Sequence, residues 1–78
     1  MADRWHMAKD PAKLKLMLER AAKGEYKDQT APADPIQKEA AYTLISFLTG
    51  EDVPPLTVHR CLWSIGALYA LNWETYVL

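Results

Sequence analysis

The sequence predicts an all-α domain of three helices, and three observations carry that expectation. Helix-opening pairs stand at Asp10-Pro11 and Asp34-Pro35, and a third opening at Pro54-Pro55. Asp is a good N-cap, and Pro suits the first helical position, where no amide hydrogen is needed. After each start, apolar residues recur at spacings of three and four. Finally, Cys61 to Trp73 contains no charge at all. Such a run reads as a helix apolar all round, and it falls short of the roughly 18 to 20 apolar residues of a membrane span. The third helix is therefore expected to be central, with the remainder as its cover.

Residues 1–9 are expected either to be poorly ordered or to make a short helical turn, with Trp5 and Met7 as anchors. The first helix is placed near 11–23, with Gly24 as its left-handed stop. Leu14, Met17, Leu18 and Ala21 face inward, and Lys13, Glu19, Arg20 and Lys23 face water. Residues 25–33 form a polar connection from which Tyr26 folds back on the core. The second helix, near 35–49, has Asp34 as cap, Gln37 reaching back as in a capping box, and Gly50 as stop. Its inward stripe is Ile36, Ala40, Leu44, Phe47 and Leu48, widened by Ala41 and Ile45. The third helix is expected near 55–72. Gly66 inside it costs about 1 kcal/mol relative to Ala, which asks for a packing reason. Trp63, Gly66, Ala67, Ala70 and Trp73 supply one: a trough of small residues between two large rings, opposite the bulkier Leu62, Ile65, Leu68 and Tyr69. Residues 74–78 either extend this helix or form one extended segment.

Size and composition narrow the function classes. Seventy-eight residues make a single domain, and a chain this short buries only about 60% of its unfolded surface. Half of the residues are hydrophobic, with three Trp, four Tyr and one Phe, so a small core is within reach and overall disorder is excluded. One cysteine allows no internal disulfide and points to a reducing compartment. The first ten residues lack the apolar stretch of a signal peptide. A soluble, cytoplasmic protein away from membranes is the expectation.

Residues for chemistry are few. His59 and Cys61 stand two apart on a helix, about 200° around its axis, and cannot share one ion or form a nucleophile–base pair. A structural zinc takes about four Cys or His ligands, and this chain has three such residues in all. Glu51 and Asp52 sit in a Pro-rich loop that suits solvated acids. No phosphate-cradling loop or nucleophile elbow occurs. The expectation is a non-enzymatic protein with no cofactor and no metal site.

Two partner classes remain. Aromatic residues and Met exceed what three short helices easily hide, and such residues are enriched at interface cores. Trp5, Tyr26, Trp63, Trp73 and Tyr76 are the candidates for contact with another protein, including a second copy of this chain, or else they complete a thin core. The corresponding function is that of a small inhibitor or adaptor, or of a self-associating subunit. By analogy of size and style alone, motif-free helical proteins like this are frequent in phages and mobile elements, where they block host machinery such as defence nucleases. The alternative is nucleic-acid association. Residues 1–27 carry seven Lys or Arg against four Asp or Glu, an excess of +3, whereas residues 28–78 carry two against six, −4. Lys13, Arg20, Lys23 and Lys27 could meet phosphates or an acidic partner. Specific groove reading is not expected, because the third helix has no charged residue between Cys61 and Trp73 to read a base with.

Overall fold

The computed structural model describes residues 3–25 and 35–66. Within them the chain forms a 3-10 turn at Trp5–Met7 and three helices: α1 Pro11–Ala22, α2 Pro35–Thr49 and α3 Pro55–Ile65. There is no strand among the described residues. This is the small all-α domain that the three openings predict.

The helix ends form for the anticipated reasons. The Asp10 carboxylate accepts the Lys13 amide at 3.1 Å, with Pro11 at the first helical position. At the other end Gly24 takes φ 85°. The Gly24 amide donates to the Ala21 carbonyl and the Glu25 amide to the Arg20 carbonyl, the paired closure of a Schellman motif. Gly50 closes α2 in the same way, its amide donating to Phe47 O and the Glu51 amide to Ser46 O.

The core unites all three helices. Leu14, Leu18, Ala21 and Ala22 of α1, Ala40, Ala41, Leu44, Phe47 and Leu48 of α2, and Val58, Cys61, Leu62 and Ile65 of α3 are buried. No charged or polar residue is buried among those described. Removing such side chains from water is worth about 1.5–3 kcal/mol for each large aliphatic residue, and this burial does most to hold so small a domain together. The helices alternate in direction. Lys38, early in α2, passes beside Gly24 at the end of α1, and Gln37 Nε2 donates to the Ser64 carbonyl near the end of α3 at 3.4 Å.

Three expectations need correction. First, α3 stops at Ile65 instead of running to residue 72. Gly66 adopts φ 68° and its amide returns to the Leu62 and Trp63 carbonyls. A Cβ at Gly66 would meet nothing within 4 Å, so this glycine serves the left-handed turn and not a close helix approach. The trough's other members Ala67, Ala70 and Trp73 lie outside the described residues, as do Leu68 and Tyr69. Second, the helix packed against both others is α2; the described part of α3 lies to one side. Third, Ile36 is 67% exposed. It sits on the first turn of α2, at the open mouth of a cleft that it lines with Arg60, Cys61 and Ser64 of α3, where it stays in contact with solvent. The capping-box reading of Gln37 involves Asp34, which lies outside the described residues; within them the Gln37 Nε2 donates to the Ser64 carbonyl of α3.

The start of the chain is tied down by Arg4, a residue to which the sequence pattern assigns no role. The Arg4 amide donates to Leu48 O at 2.8 Å, and its guanidinium donates to Phe47 O and Glu51 O. The guanidinium carbon stands 4.5 Å from the centroid of the Phe47 ring. A cation is thus placed on the carbonyl end of α2, where the helix dipole favours it, and over an aromatic face. The following Trp5–Met7 turn brings Trp5 against the core.

Candidate protein-binding face

The site is built on the outer side of α3. Val58, Cys61, Leu62 and Ile65 turn inward and fix the helix on α2. Residues 100° apart around the axis then leave Leu56 and Trp63, seven positions apart, aligned within about 20° on the far side. Leu56 is 71% exposed and Trp63 63% exposed. His59 and Arg60 lie between them, one turn from each. The result is an aromatic-apolar stripe on the solvent side of a helix whose opposite side is already fully used.

Trp63 does not hang free on this face. Its indole Nε1–H donates to His59 Nε2 at 2.8 Å, one helical turn back, with the two rings tilted at 50° and their centroids 6.2 Å apart. A large side chain held in one orientation loses less entropy when a partner covers it.

The remaining candidates separate clearly. Trp5 is half-buried at the edge of the core, with Lys15 Nζ 5.9 Å over its ring. Tyr26, Trp73, Tyr76 and Lys27 lie outside the described residues. Lys13, Arg20 and Lys23 are exposed on the outer side of α1, and at their centre stands Leu16, 57% exposed. Residue type alone points to neither Leu16 nor Leu56. A signal for Leu56 does exist in the sequence, since it lies seven residues before Trp63, on the same helix face.

The potential chemistry of Cys61 is suppressed by its place. The residue is buried against α2, and its thiol is pushed above its ordinary range, chiefly by burial and also by the charge of Glu39, while a hydrogen bond with Thr43 pulls the other way. A thiol held protonated is a poor nucleophile. His59 lies on the outer flank of the same helix, engaged with Trp63 rather than with Cys61. No group of three or more His, Cys, Asp or Glu side chains among the described residues could hold a metal ion. No helix among them is long and apolar enough to cross a membrane. Compared with protein-family models, curated proteins and solved structures, the chain matches none.

Proposed function

We propose that the protein works by binding another protein through the outer face of α3, with Leu56 and Trp63 as anchors and His59 and Arg60 between them. The observation that supports this most is the alignment of two large apolar side chains, each more than three-fifths exposed, on one helix face. Helix-presented anchors at i and i+7 are a recurring mode of recognition. Fully burying Leu56 and Trp63 is worth roughly 3–6 kcal/mol. Specific interfaces cover about 800 Å² on each partner, so neighbouring surface must contribute as well. The finer reading is a small inhibitor or adaptor, of the kind phages and mobile elements direct at host machinery, or a subunit that pairs with its own copy. A cytoplasmic site of action accords with a single buried thiol.

A second reading uses α1, where Lys13, Arg20 and Lys23 are exposed together and could follow phosphates. Leu16 in their midst weighs against it, because a phosphate backbone gains nothing from an exposed leucine.

The test compares the native chain with Leu56→Lys and Trp63→Lys variants whose helicity is unchanged by circular dichroism. Association, with a captured partner or with itself by sedimentation, is expected to disappear in both variants. It is expected to survive in a Lys13→Glu, Arg20→Glu variant. The reverse pattern, with binding that also collapses steeply as salt is raised, overturns the proposal in favour of α1.

A further inference from the structure

We propose that His59 is a proton-operated latch on Trp63, so that acidification releases the indole ring of the α3 face. The hydrogen bond between them runs from Trp63 Nε1–H to His59 Nε2 at 2.8 Å. An indole nitrogen only donates, and an imidazole nitrogen accepts only through a lone pair. The bond therefore exists with the ring neutral and its proton on Nδ1. Protonating Nε2 turns the acceptor into a donor facing a donor, and the bond is lost. An imidazole is the side chain whose ordinary titration falls between about pH 5 and 8. The sign follows: the latch is closed with the imidazole neutral and open with it protonated.

The charged residues on α3 and on the elements that adjoin it are Arg60 on α3 itself, Lys38 and Glu39 on the packed helix α2, and Glu51 and Asp52 in the loop that joins the two helices; of these, Lys38 lies on the α1 side of α2, beside Gly24. They are of both signs and all exposed. Opening also places an imidazolium next to Arg60, so the face becomes looser and more positive at once. Its consequence for binding rests on reading this face as an interface; the latch itself does not.

The test uses the ¹⁵N-labelled full chain, following the indole resonances of its three tryptophans from about pH 8 to 5. Trp63→Phe assigns the relevant one, and the His6 and His59 ring protons are followed alongside. The Trp63 indole resonance is expected to move with the midpoint of His59 and not of His6. In His59→Gln the carboxamide oxygen accepts the same proton and does not titrate, so the displacement is lost. In His59→Ala the resonance is displaced at every pH. A Trp63 resonance that stays still while His59 titrates, or one that moves equally in His59→Gln, overturns the latch. If the latch holds but Leu56→Lys leaves association intact, the interface reading fails on its own.

Discussion

The outer faces of α1 and α3 make an instructive pair. Each helix buries one side against α2 and exposes leucine on the other. On α1 the exposed Leu16 is a single apolar residue among Lys13, Arg20 and Lys23, whose long stems cover apolar surface while their charges remain in water. On α3 the exposed Leu56 is followed two turns later on the same face by Trp63, and the larger ring is fixed by His59. A lone surface leucine is ordinary; an aligned pair with a restrained aromatic is the composition of an interaction anchor. The difference lies in spacing and restraint, not in hydrophobic content.

The comparison can be broken most severely from the inside. Leu62, with no exposure, packs α3 onto the core, and Leu62→Ala should cost about 2–5 kcal/mol in urea unfolding. If it costs little, α3 is not seated as described and its outer face has no defined meaning. Next is Arg4→Ala, which removes the guanidinium from two carbonyls and from the Phe47 ring. A loss of about 1–3 kcal/mol is expected from hydrogen bonds to a charged group, read as a fall in the unfolding midpoint. Gly66→Ala puts a Cβ into a left-handed turn with open space around it. The expected loss is about 1–2 kcal/mol, from backbone strain alone. The smallest effects belong to the two outer faces. Leu16→Lys and Leu56→Lys should each change stability by no more than about 0.5 kcal/mol, while only the second abolishes association.

Helix starts are legible in the sequence because Asp10-Pro11 and the prolines at 35 and 55 act within one turn of chain, where sequence and backbone chemistry are directly coupled. The inward stripes of α1 and most of α2 follow from spacing for the same reason. The end of α3 is not legible. A glycine inside an uncharged run has the same letters whether it stops a helix or sits within one, and the run Cys61–Trp73 offers no polar residue strong enough to mark the turn at Gly66. The role of Arg4 is hidden because its contact with Phe47 spans 43 positions; no local pattern records it. The face of α3 is half legible. Residue type singles out Trp63, but its orientation depends on which side α2 occupies, and Leu56 is easily passed over beside the two prolines.

Whether the ring of Trp63 belongs to the surface or to the core is the point on which the functional reading turns. Equilibrium urea unfolding of Trp63→Ala, followed by circular dichroism, measures it directly. A surface ring held by one hydrogen bond predicts a loss of no more than about 1 kcal/mol with helicity preserved. A loss of about 3–5 kcal/mol, the cost of emptying a buried aromatic site, would contradict the account and return Trp63 to the core.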